Sequence, residues 1–99
     1  MGTYPRQRQQ RLPEKLRAVR DALGLSQTEM LYRMGAEDII DYSRISEFET
    51  GKREPSLAIL LLYARTANVW MDVLVDDELD LPARLPSAKK HEGVRRRAR

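Results

Sequence analysis

The sequence predicts an all-α domain of five short helices, and three observations carry that prediction. Apolar residues recur at three- and four-residue spacing from Leu12 to Val75. Ser, Asp, Gly and Asn fall where helices would begin and end. No stretch alternates apolar and polar residues in the two-residue rhythm of a strand. The 99 residues suffice for one domain with a modest core.

The first helix runs from Leu12, with Leu16, Val19 and Leu23 on one face and Pro13 tolerated in the first turn. Gly24 ends it in a left-handed turn. Ser26-Gln27-Thr28-Glu29 is a capping box that opens a second helix, whose apolar face is Met30, Leu31 and Met34 and whose stop is Gly35. The two helices therefore meet at a short corner, Gly24-Leu25. The next stretch, GAEDIIDYS, is short and acidic, and its Ile39-Ile40 pair is expected to dip into the core. Asp41 is the expected cap of a third helix, with Ile45 and Phe48 facing inward and Gly51 closing it. Ser56 caps a fourth, in which Leu57, Leu60, Leu61 and Ala64 follow the i, i+3, i+4, i+7 pattern and Asn68 ends the helix. A fifth covers Met71 to Val75 and presents Val73 and Leu74. Trp70 reads as a core residue, the other reading being part of a dimer patch.

This divides the chain into a basic N-terminal arm (1–11), a helical domain (12–78) and an extended, Pro-containing segment running into a basic, disordered tail (79–99). The net charge is +3, but it is unevenly placed. Residues 1–17 hold five Arg or Lys against Glu14, residues 84–99 hold seven against Glu92, and the stretch between holds six against thirteen acids. Flexible basic arms on an acidic body suit a polyanion, although solvated basic tails are as common a meaning. There is no Cys, and the single His91 lies in the charged tail, so disulfides, thiolate sites and a zinc cluster are not expected. No apolar run approaches the roughly 20 residues of a membrane span, and no apolar leader opens the chain, so a cytoplasmic protein is expected.

Three pieces carry a resemblance: KLRAVRDALGLSQTEM, then RISEFETGKREPS, then LAILLLYARTANVWMDVL. Together they resemble the XRE or Cro-like, phage-repressor type of helix-turn-helix family across residues 14–76. RISEFETGKREPS follows that family's I-S-x-[IFWY]-E-x-G-x-R-x-P pattern and stands after its G-L-[ST]-Q corner. The resemblance implies a five-helix DNA-binding domain, a homodimer on double-stranded DNA, and a transcriptional regulator, most simply a repressor, working on the nucleoid.

Physical chemistry makes the third helix suitable for this. A helix entering the major groove needs polar side chains at its start and apolar residues behind. Tyr42, Ser43, Arg44 and Glu47 are the candidate base contacts. Arg44 suits guanine or a phosphate, Ser43 can bond either, Tyr42 can stack or reach a phosphate oxygen, and Glu47 can accept from cytosine N4 or pair with Arg44. By resemblance, Gln27, Thr50, Lys52 and Arg53 contact phosphates on the two flanks. The resemblance also implies a partly buried bridge between Arg20 and Glu49 that orients the helix. Arg6, Arg8 and Arg11 are candidate arm contacts.

One departure stands out. The link from the second to the third helix is longer than the family's usual, and the surplus, residues 36–41, brings Glu37, Asp38 and Asp41 toward the expected DNA face. Either this insertion bulges aside or it obstructs ordinary docking. It is also the surface a protein partner would use if the chain were an interaction module, antitoxin-like or polymerase-binding. An enzyme is not expected. The sequence holds no Ser–His or Cys–His pairing, no phosphate-cradling Gly loop and no cofactor signature, and Asp76, Asp77, Glu78 and Asp80 read as a solvated acidic helix end rather than a cation site.

Overall fold

Each helix starts and stops where a local hydrogen-bonding device sits. The computed structural model of the chain describes residues 8–86, and among these it forms five α-helices and no strand. Helix α1 spans Leu12–Leu23, α2 Gln27–Met34, α3 Ser43–Thr50, α4 Leu57–Ala67 and α5 Met71–Val75. The capping box of α2 is complete: Glu29 N–H donates to Ser26 Oγ at 3.0 Å and Ser26 N–H to Glu29 Oε1 at 2.8 Å. The Ser26 N–H bond, followed by the Ser26 hydroxyl, holds the Glu29 carboxyl below its usual range. Ser56 Oγ accepts from Ile59 N–H at 3.2 Å to open α4. Asn68, at φ 62°, closes α4 in the left-handed conformation that its short amide tolerates.

Formally α3 begins at Ser43, but Tyr42 already has helical backbone angles. Asp41 Oδ2 accepts from Ser43 N–H at 3.2 Å, the geometry of a capping side chain two residues back. Helix α1 has no side-chain cap on its own strand of sequence. The N–H groups of Gln10 and Arg11, just ahead of it, donate to Asp77 at 2.8 and 3.0 Å, from beyond the end of α5.

The core gathers Leu12, Leu16, Val19, Met30, Leu31, Met34, Ile45, Phe48, Ile59, Leu60, Tyr63 and Leu74. Each such large apolar side chain contributes roughly 1.5–3 kcal/mol by leaving water. Helix α1 packs on α3, α4 and α5, and α2 on α3 and α4, so α3 is held from two sides. The packed body also continues past residue 78, because Leu81 and Leu85 lie against the core.

Three expectations about the core are corrected. In α4, Leu57 and Leu61 are exposed, and the buried stripe is Ile59, Leu60, Tyr63, Ala64 and Ala67. The segment LAILLLYA is apolar nearly all round, so periodicity permits two stripes, and the placement of α2 and α5 selects one. Trp70 is 68% exposed, while its neighbour Val69 is buried. The chain is extended at Trp70 as it turns from α4 into α5, and this backbone turn sends Val69 inward and the indole outward. Ile40 packs against the core as expected, but Ile39 is exposed.

Lys15 is the least expected core residue, with 2% of its surface exposed. Its ammonium donates to the carbonyls of Val73, Asp76 and Leu79 at 2.8, 2.8 and 2.7 Å. All three donors are thereby satisfied, and the positive charge sits at the carbonyl end of α5 where the helix dipole favours it. The sequence did carry a sign of this: Lys15 is three residues after Leu12 and four before Val19, on the buried face of α1.

Candidate nucleic-acid interface

Helix α3 is short, so its orientation depends on what grips it from behind. Ile45 and Phe48 supply the apolar hold. Glu49 supplies the polar one: Arg20 Nε reaches Glu49 Oε2 at 2.6 Å and Arg20 Nη2 reaches Oε1 at 2.9 Å. The pair is nearly buried, 13% exposed at Arg20 and 4% at Glu49. Arg20 Nη1 also donates to the Leu25 carbonyl at 2.9 Å, and Gln27 Nε2 donates to Glu49 Oε1 at 3.3 Å. One guanidinium thus joins α1, the α1–α2 corner and α3, and the hydrogen bond to Glu49 raises its pKa further above the ordinary value. Gln27, expected at a phosphate, has its amide turned into this bridge.

The outward side of α3 carries Tyr42, Ser43, Arg44, Glu47 and Thr50. Tyr42 is 56% exposed. Ser43 Oγ donates to Asp41 Oδ2 at 2.6 Å. Thr50 Oγ1 turns back on its own helix, to the carbonyls of Ser46 at 3.1 Å and Glu47 at 3.3 Å. Glu47 Oε1 accepts from Arg44 Nη1 at 2.8 Å and from Arg53 Nε at 3.0 Å. The Arg44 bond, then the Arg53 bond, hold the Glu47 carboxyl below its usual range. Glu47 therefore meets two cations within the chain. Of the two readings open for it, pairing with Arg44 is the one the geometry displays, and Arg53 joins that pair.

Past α3 the chain turns sharply at Gly51, φ 79°, where a Cβ would also meet Pro13 Cγ at 3.4 Å. Lys52 and Arg53 follow, both exposed, with their N–H groups on the Glu47 carbonyl at 2.9 and 3.3 Å. Arg8 comes to the same corner: its Nη2 donates to the Gly51 carbonyl at 3.3 Å and its Nε pairs with Glu54 at 3.3 Å. Arg8, Lys52 and Arg53 thus cluster beside the end of α3. Arg6 lies outside the described residues, as do His91 and the basic tail.

Arg11 is turned to the segment that follows α5. Its guanidinium donates to the carbonyls of Asp77 at 2.8 Å and Leu79 at 3.3 Å and to the Asp80 carboxylate at 2.8 Å. Backbone geometry fixes this, since the Arg11 N–H is already on Asp77. The acids after α5 are accordingly engaged rather than merely solvated, with Asp76 Oδ1 accepting from Glu78 N–H at 2.9 Å. Among the described residues no group of three or more acidic or His side chains is placed to hold a metal ion.

The insertion folds into a compact turn. Ala36 is fully buried, and its carbonyl accepts from Ile39 and Ile40 N–H at 2.9 and 3.0 Å. Glu37 and Asp38 stay exposed, whereas Asp41 is drawn to the start of α3.

Two capped helices meeting at a tight corner, the pair followed by a polar helix that is apolar behind and cationic at its far end, define a helix-turn-helix domain. A helix-turn-helix family model matches residues 16–74, and the chain belongs to this XRE/Cro-like family of DNA-binding regulators. No curated protein and no solved structure matched in the corresponding searches. Among the described residues no helix is long and apolar enough to cross a membrane.

Proposed function

We propose that this protein is a sequence-specific DNA-binding transcriptional regulator that reads the major groove with α3 and acts as a repressor by occupying promoter DNA. The observation that carries the reading is the gripped α3. Arg20 and Glu49 fix it from behind, while Ser43 and Arg44 face outward and Arg8, Lys52 and Arg53 gather at its end. Tyr42, Ser43 and Arg44 meet base edges. Lys52, Arg53 and Arg8 meet phosphates, Arg6 adds a DNA contact, and Thr50 and the second amide hydrogen of Gln27 add polar contacts on the flanks. Glu47 serves by holding Arg44 and Arg53. One α3 reads a half-site, so the working species is a homodimer on a two-fold operator in the cytoplasm.

Fluorescence-anisotropy titration tests this, using the DNA upstream of the protein's own gene beside a scrambled duplex at about 50 and 200 mM salt. Sequence reading gives tighter binding to the native duplex that persists at the higher salt. Equal, salt-labile binding to both duplexes contradicts it.

A second reading has its own support. Exposed Ile39 beside exposed Glu37 and Asp38 forms an acidic, apolar tip suited to a basic protein partner. A stable complex that survives Glu37→Lys and Asp38→Lys substitution would remove that reading.

A further inference from the structure

Ser43 is ordinarily an ambiguous reader, because a hydroxyl offers one donor and two acceptor lone pairs. Here the ambiguity is removed. The Ser43 Oγ–Asp41 Oδ2 separation of 2.6 Å is that of a charge-assisted O–H···O⁻ bond. The same Oδ2 accepts the Ser43 N–H at 3.2 Å, so backbone and side chain of one residue fix the carboxylate together. Both residues are exposed, so neither is closed off by the core.

Resting on the reading of α3 as a major-groove helix, we propose that Asp41 and Ser43 form one acceptor unit that takes a hydrogen bond from the exocyclic amino group of the base on the strand facing the start of α3. Adenine N6 and cytosine N4 are the amino groups displayed in that groove. Guanine shows N7 and O6 there, and thymine O4 and a methyl group. With its proton on Asp41, Ser43 has only lone pairs to offer, and the carboxylate behind polarises them toward a donor. A guanine edge, a thymine O4 or a phosphate oxygen would bring acceptor against acceptor with a carboxylate adjacent. Asp41 is a carboxylate at neutral pH, and the Ser43 hydroxyl bond, followed by the Ser43 N–H bond, lowers its pKa from the ordinary value. Through its last acid the insertion thus sets what Ser43, two residues on, can read. Arg44, one residue on, keeps donors for an acceptor-bearing edge, so neighbouring positions read opposite polarity.

The test is selection of full-length protein on a randomised duplex library, carried out with wild type, Ser43→Ala, Asp41→Ala and Asp41→Asn. Thermal melts confirm folding, and Asp41→Asn keeps a carbonyl to receive the Ser43 N–H in case the alanine variant loosens α3. Wild type should prefer one base pair, and so one adenine or cytosine amino group, at one position of each half-site, the position whose preference Ser43→Ala abolishes. Asp41→Ala should admit other base pairs there while the other positions keep their preferences, and Asp41→Asn, whose carbonyl still accepts the Ser43 hydroxyl but without the charge, should relax the preference less. In the selected duplex, purine in place of that adenine, or 2-pyrimidinone in place of that cytosine, should weaken wild type about tenfold and Ser43→Ala not at all.

A Ser43→Ala variant with every wild-type preference intact overturns the proposal, as does an equal analogue effect in both proteins. In those cases α3 still reads DNA by other side chains. A library that returns no enriched sequence for wild type instead fails the DNA-reading function itself, and this inference with it.

Discussion

Arg20 and Glu49 meet fork to fork across α1 and α3, at 2.6 and 2.9 Å, with the Leu25 carbonyl taking a further guanidinium donor. The pair lies out of water, so its value is in orientation as much as in stability. Removing one member strands the other. Arg20→Ala should cost about 3–5 kcal/mol in urea unfolding, whereas the paired change Arg20→Met with Glu49→Leu should recover much of that. The paired variant tests orientation separately: a folded protein with blurred base preference is the expected result of releasing α3 from its polar grip.

Lys15 should be as sensitive, although it touches no part of the proposed interface. Lys15→Met keeps most of the volume but abandons three carbonyls, those of Val73, Asp76 and Leu79. An unsatisfied buried polar group costs roughly 1–3 kcal/mol, so the combined loss should exceed that of any single core truncation to Val. Urea midpoints measure it, and amide exchange at α5 should rise first.

Tyr63 is fully buried, and its hydroxyl has no hydrogen-bond partner among the described residues. Tyr63→Phe should therefore leave stability unchanged or raise it by about 1 kcal/mol. Burial, then the nearby Glu49 charge, push the Tyr63 phenol well above its ordinary value of 10.0. The folded state thus binds this proton more tightly, so the contribution is intact below pH 10 and fades as pH rises toward the folded value. The phenylalanine variant should lose this alkaline decline in thermal melts.

At the acid end the sign reverses. Glu29, Asp41, Glu47 and Asp77 all have lowered pKa values; the leading causes are the Ser26 N–H, the Ser43 hydroxyl, Arg44 and the Arg11 N–H respectively. The fold favours each ionised form. Their stabilisation is complete above the ordinary values, 4.5 for Glu and 3.8 for Asp, and is lost as pH falls through the lower folded ones. Urea midpoints should fall across that window, and Asp77→Asn should flatten the fall.

Glu47→Gln should separate general from specific affinity. Without the carboxylate, Arg44 and Arg53 lose their common partner and the α3 face gains one positive charge. Binding to a scrambled duplex should tighten and its salt dependence steepen, by a log–log slope of up to about 0.9 for one added phosphate contact. Discrimination between native and scrambled duplexes should shrink. A change at one base step alone would mean that Glu47 reads that base directly.

Most helix boundaries were legible because their causes are local. Ser26 with Glu29, Ser56 with Ile59 and the glycines at 24, 35 and 51 act within a few residues, which a linear reading can see. The motif likewise pointed to α3 and to the Arg20–Glu49 pair. The same reading misplaced Trp70, Leu57 and Leu61, because an apolar side chain near a helix end can face either way until its neighbours are fixed. Charge alone likewise does not reveal that Arg11 has a partner 66 residues away.

The sequence by itself therefore determined an all-α chain, its five helices and which of them is polar outward, since caps, turns and periodicity are short-range properties. Tertiary structure decided which stripe of α4 is buried, where the Lys15 ammonium lies and which carboxylates neutralise which guanidiniums. Those outcomes depend on groups brought together only when α1 packs against α3 and α5, and on the cost of leaving any buried charge or carbonyl without a partner.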